Sequence, residues 1–176
     1  MSLNHWINII WMQVLWFGAI IGAAQGLLWL APVLLMGFAC WELRPANRVF
    51  GDFQLMLAAV LIGLILDTTW INLGWLEFAA GWDSSASAPL WILLLWAGLA
   101  LTLNHSLAWL QSRLLLAALL SGLCSPLSYL AAARLGAVHI VTESWLWAIG
   151  LGSSWALVVP FLLWLASHLK QRKQQE

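Results

Sequence analysis

The sequence predicts an all-α fold: a polytopic integral membrane protein built as a bundle of six transmembrane helices, with both termini on the inner side. Three observations predict it. Of 176 residues, 63% are apolar and 8% are charged, where a soluble domain carries roughly 25% charged residues. Six stretches are long and apolar enough, or nearly so, to cross a bilayer as helix, which takes about 20 residues. The few basic residues gather on one side of the frame that those stretches define.

The spans of this single domain, residues 1–176, read as about 6–24, 27–43, 53–76, 89–110, 114–135 and 145–169. Ahead of the first, Met1 to His5 carries no Lys or Arg, and Gly22-Ala23-Ala24 is the nearest thing to a cleavage site, so the segment reads as an uncleaved span. Ala24-Gln25-Gly26 then leaves room only for a tight helical hairpin. Span two is short and holds Pro32 near its start, where a helix tolerates proline best. Arg44 and Arg48 precede span three, Arg113 separates spans four and five, and Lys170, Arg172 and Lys173 follow span six. Six spans put all of these on one side, which is then the cytoplasmic one. The opposite loops hold Glu77, Asp83 and Glu143, with Arg134 as the basic exception. The frame is that of a multi-pass bacterial inner-membrane protein with an outer loop at 77–88.

Fifteen tryptophans fit this frame. Trp29, Trp75, Trp82, Trp91, Trp145 and Trp147 fall near the outer boundary, and Trp6, Trp41, Trp109 and Trp164 near the inner one, where an indole keeps its polar edge wet and its body in lipid. Trp11, Trp16, Trp70, Trp96 and Trp155 lie deeper, as packing residues between helices. Residues 55–64 and 114–123 read alike, LMLAAVLIGL against LLLAALLSGL, which suggests a parallel duplication of a two-helix unit. Chance is the competing reading in a chain so rich in Leu, Ala and Gly.

Function is sought among polar groups at membrane depth, since an ionisable side chain there costs about 2.5–3.5 kcal/mol or more. Asp67, followed by Thr68, Thr69 and Asn72, lies about 21 Å into span three. It reads as a proton-carrying or ligand-binding carboxylate, or as a packing lock. Asn104, His105 and Ser106 lie in the inner half of span four. His105 is a candidate general acid/base or ligand, against a plain interhelical hydrogen bond. In span five, Ser125-Pro126-Leu127-Ser128-Tyr129 predicts a kink, with the serines free to satisfy the carbonyl that proline releases. Tyr129 falls at the depth of Asp67, so a hydrogen bond between them is expected if spans three and five touch. Arg134 snorkels outward, pairs with Asp67 or Glu143, or holds an anionic group such as a lipid phosphate or carboxylate. Asp67 and His105 differ in depth by about 13 Å, so no catalytic dyad is expected. Catalytic candidates are thus His105 and Asp67, and ligand-binding candidates are Asp67, Asn104, His105, Ser128, Tyr129 and Arg134.

Several classes are excluded or disfavoured. A net charge of zero supplies no basic field for nucleic acid. Cys40 and Cys124 have neither CxxC spacing nor a nearby His. No HExxH, histidine box or glycine-rich phosphate loop is present, and no metal or cofactor is expected.

With these residues assembled, the chain resembles a family of uncharacterised bacterial inner-membrane proteins of about this length. The resemblance covers essentially the whole chain. It rests on Asp67, on Thr102-Leu103-Asn104-His105-Ser106-Leu107-Ala108-Trp109, on Pro126-Leu127-Ser128-Tyr129 and on Arg134-Leu135-Gly136-Ala137. The family pattern usually has Gly before the proline, where this chain has Ser125. The resemblance implies no established activity; it implies an association with fatty-acid modification genes, including cyclopropane-synthase-like methyltransferases. Three functions therefore stay open. The favoured one is an auxiliary component of an envelope or membrane-lipid modification pathway, with membrane lipids and a membrane protein as partners. The others are a small transporter using Asp67 and Arg134, and a lipid-acting enzyme using His105 or Asp67.

Overall fold

The computed structural model describes residues 2–79 and 87–175, the side chains of 173–175 excepted. Trp82, Asp83 and the side chain of Lys173, which entered the reading of the belts and charges above, lie outside the described residues. Six α-helices follow in order: α1 (Leu3–Ala24), α2 (Leu30–Glu42), α3 (Asp52–Asn72), α4 (Leu90–Leu103), α5 (Leu114–Arg134) and α6 (Leu146–Gln175). Four of them, α1, α3, α5 and α6, are long and apolar enough to cross a membrane, and the fold is compatible with an integral membrane protein.

Two helices are shorter than their apolar stretches. α2 begins only at Leu30, after a turn in which Gly26 takes a φ of 73° and Leu27 N donates to Gly22 O. α4 stops at Leu103, not at Leu110; residues 104–107 are turns, and a 3-10 helix (Ala108–Ser112) completes the stretch. The break is stable because polar side chains take up the carbonyls it frees. Asn8 Nδ2 donates to Leu101 O at 3.0 Å and Gln111 Nε2 to Leu103 O at 2.8 Å.

A feature without a hydropathy signal is a two-stranded antiparallel ribbon, β1 (Leu76–Phe78) with β2 (Val138–Ile140). It joins the ends of α3 and α5. Its register pairs Leu76 with Ile140, Glu77 with His139 and Phe78 with Val138. Each strand follows a helix that ends on a Leu-Gly pair. Gly74 (φ 67°) and Gly136 (φ 84°) adopt the left-handed conformation, and the amides of Trp75 and Ala137 reach back to Trp70 O and Ala132 O. This closure satisfies the last carbonyls and needs glycine at its left-handed position.

The core is apolar and aromatic. Phe38, Leu15, Leu55, Leu101 and Leu162 are fully buried, while many large apolar side chains on α1, α3 and α5 face outward. Trp29, Trp145, Trp6, Trp109 and Trp164 are exposed. Trp91 and Trp147 are buried, so these two pack inward rather than anchor a boundary. α5 and α6 approach most closely where glycine faces glycine: a Cβ on Gly152 would lie 2.7 Å from the Gly122 carbonyl oxygen.

Candidate functional site

The ends of five helical segments bring their polar side chains together around His105. Its Nδ1 lies 3.2 Å from Glu42 Oε2 and its Nε2 lies 3.3 Å from Asp52 Oδ2. Both carboxylates are buried, at 2% and 1% exposure. Glu42 closes α2, Asp52 opens α3, and the unwound end of α4 swings His105 between them. Asp52 also accepts from Val49 N (2.8 Å) and Asn104 Nδ2 (2.9 Å). Glu42 accepts from Asn8 Nδ2 at 2.8 Å, and Asn8 Oδ1 accepts from Ser106 Oγ at 2.5 Å. Gln111 bridges outward, donating to Asn104 Oδ1 and accepting from Lys170 on α6.

An imidazolium donates at both nitrogens, and a neutral imidazole at one. The ring therefore joins both carboxylates only while it carries both protons. The carboxylates sit on opposite ring nitrogens, and among the described residues no three His, Cys, Asp or Glu side chains form a group that could hold a metal ion. Chemically the cluster is an acid–imidazole–acid knot, suited to holding a proton or fixing helix ends.

The second polar group surrounds Asp67. Its carboxylate is 1% exposed. It accepts from Tyr129 Oη at 2.5 Å and from Trp96 Nε1 at 2.7 Å. α3, α4 and α5 are thus tied at one level. The other polar residues expected near it turn elsewhere. Thr69, Ser153 and Ser154 bond carbonyls of their own helices, and Asn72 is exposed. Arg134 is exposed and forms no ion pair among the described residues, so of its readings the alternative of pairing with Asp67 or Glu143 is not seen.

Between these groups lies a cleft. α5 rests on α6 and stands off from α1 and α4, leaving a cavity of about 430 Å³ whose lining comes chiefly from those four helices. It runs from Trp109 and Leu110 at the His105 end to Trp91 and Val138 at the ribbon end. Among the described residues no lining side chain is charged. Trp96 and Tyr129, both held by Asp67, form part of its wall, and Trp16 bridges it by donating to Ser128 Oγ at 3.2 Å. Pro126 lies within α5, which stays helical through it. The serines beside it do not do what the sequence suggested: Ser128 receives Trp16, and Ser125 Oγ, buried in the cleft wall, has no hydrogen-bond partner.

Of the site residues expected from sequence, Asp67 and Tyr129 meet, Ser128 lines the cleft beside them, and Asn104 and His105 belong to the separate knot. Glu42, Asp52, Asn8 and Gln111 were missed. The first two lie at the edges of spans two and three, and depth counting gives no weight to a charge at a helix end. A usable signal existed: two acids at facing helix ends opposite an intramembrane His.

Comparison with known proteins adds the family but no activity. A family model described as a protein of unknown function, DUF2878, matches residues 5–161. No curated protein and no solved structure matches the chain. The match runs from the first turn of α1 into α6 and takes in the Asp67 group, the knot apart from Lys170 and the described lining of the cleft: the chain belongs to the DUF2878 family of proteins of unknown function.

Proposed function

We propose that the protein is an inner-membrane, six-span lipid-handling component, with both termini in the cytoplasm, that draws a hydrocarbon chain from the bilayer into the cleft between α1 and α5. In this role it serves a membrane-lipid modification pathway as an auxiliary rather than as the catalyst. The observation that carries the reading is the cleft itself. Its volume of about 430 Å³ falls within the roughly 300–1,000 Å³ of small-molecule sites. Its walls are apolar and aromatic, and its lining residues Gln13 and Cys124, midway along α1 and α5, are exposed, so in a bilayer its neighbours are acyl chains. Asp67 acts behind the wall: it fixes the Trp96 and Tyr129 rings, so that the cleft is preformed. The transporter reading uses Asp67 and Arg134, of which Asp67 is buried and Arg134 exposed. Within this proposal Ser128, Tyr129 and Asp67 are ligand-site residues, while Asn104 and His105 secure the inner end.

The test uses a phosphatidylcholine with a diazirine in its acyl chain, in vesicles holding the purified protein. Irradiation should label residues of the cleft, such as Gln13, Trp16, Cys124 and Ser128, above the outward residues Leu123 and Leu127. Cys124 is exposed, so Cys124→Trp should fold, fill the cleft and remove the excess labelling. Even labelling around the bundle, unchanged by Cys124→Trp, would overturn the reading.

A further inference from the structure

Ser125 sets a problem that an acyl chain does not solve. Its residue is 5% exposed, its hydroxyl has no partner, and it lines the cleft. Across the cleft, Gln13 on α1 also lines it and makes no side-chain hydrogen bond among the described residues. At 1.5 Å per residue, Gln13 lies about 15 Å along α1 from Leu3 and Ser125 about 16 Å along α5 from Leu114. Both helices start at the same end, so the two groups share one level, near the middle of a hydrocarbon layer roughly 30 Å thick. A hydroxyl and an amide left unpaired at that depth cost several kcal/mol each.

We infer that the cleft takes a neutral lipid carrying carbonyl oxygens on a small headgroup, of the isoprenoid-quinone class, whose carbonyls accept hydrogen bonds from Ser125 Oγ and Gln13 Nε2. This rests on the reading of the cleft as a lipid site and names its ligand. Charge selects against other lipids, since among the described residues no cation lines the cleft to meet a phosphate or carboxylate. Depth does the same, because the ester carbonyls of a phospholipid stay with its headgroup at the interface. A neutral head can be carried to mid-depth, and there the half-buried Trp16 ring, held by Ser128, stands beside it in the cleft wall.

The experiment titrates the protein, in phosphatidylcholine nanodiscs, with decyl-ubiquinone and with decylbenzene, which has the ring and chain but no carbonyl. Calorimetry should show the quinone binding more tightly. Ser125→Ala and Gln13→Leu should each weaken the quinone about three- to tenfold, the span of one hydrogen bond, and leave decylbenzene unchanged. Ser125→Ala removes no bond within the protein, so its thermal midpoint should hold and exclude misfolding as the cause. Equal affinities for the two ligands, or variants that bind the quinone as the parent does, would overturn the quinone assignment. Cleft-specific diazirine labelling in the same preparation separates the failures: with labelling present, only the ligand class falls; without it, the cleft reading falls as well.

Discussion

His105 shows how much one side chain can hold at the boundary of a bundle. Its two ring nitrogens lie within 3.3 Å of Glu42 and Asp52, both buried. Removing one partner of a buried ion pair costs about 3–5 kcal/mol because the charge left behind has nothing to meet. His105→Ala should therefore lower unfolding stability by about that much, measured by steric trapping or thermal unfolding in detergent. Adding Glu42→Gln should recover part of the loss, since one stranded carboxylate disappears. A His105→Ala protein as stable as the parent would mean that water reaches the carboxylates. At this scale the sequence was half legible. Asp67 and His105 stood out because they interrupt long apolar runs, and Tyr129 was placed beside Asp67 by depth alone. Asp52 and Glu42 did not stand out, because a charge at a helix end is ordinary in sequence and becomes costly only once neighbouring helices close over it. Ser125 was misread for a related reason: the sequence shows a hydroxyl next to a proline, and cannot show that the hydroxyl turns into a cleft.

Among the elements, the long helices were read nearly to their ends, because an unbroken apolar run both favours helix and fixes its limits. α2 and α4 were read too long. Hydropathy counts apolar side chains and ignores where backbone bonding stops, and α4 stops where Asn8 and Gln111 supply partners for its carbonyls. The ribbon was not read at all, since three residues per strand give no period. Its flanking signal was visible nonetheless in the Leu-Gly pairs at 73–74 and 135–136. The α5–α6 pair has a sharper sequence cause, glycine facing glycine. Gly152→Ala sets a methyl group 2.7 Å from the Gly122 carbonyl oxygen. Overpacking of this kind costs about 1–3 kcal/mol, so the thermal midpoint should fall. A midpoint unchanged by Gly152→Ala would show that the helices separate freely.

For the whole molecule, the alternation of helix directions brings the start of α1, the end of α2, the start of α3 and the end of α4 into one knot with the end of α6. Six crossings would place this end inside. Fusions truncated after Asn47 and after Gln175 should fluoresce with a green fluorescent reporter and lack alkaline phosphatase activity; a fusion after His139 should do the reverse. Phosphatase activity at Asn47 would reject the orientation. The duplication suspected in sequence also gains a structural counterpart, though in a different register. Sequence paired Leu55 with Leu114. In the fold, Asp52 and Leu114 both open a helix of 21 residues, Asn72 and Arg134 close them, and Gly74 and Gly136 cap them. The shift is three residues, just under one turn, which a search for matching letters in leucine-rich helices cannot resolve.

The ribbon's register maps onto itself when its strands are exchanged, since Leu76 pairs with Ile140 as Val138 pairs with Phe78. Asp67 and Tyr129 stand in the same relation as the helix ends, separated by 62 positions, and they touch. Positions 67 and 129 thus correspond under the offset of 62 that also relates the two helix starts, the two glycine caps and the two strands. Two identical chains meeting at these positions about a two-fold axis would have to present the same side chain twice, acid to acid or phenol to phenol. Within one chain the two positions are free to differ, and here one supplies the acceptor and the other the donor.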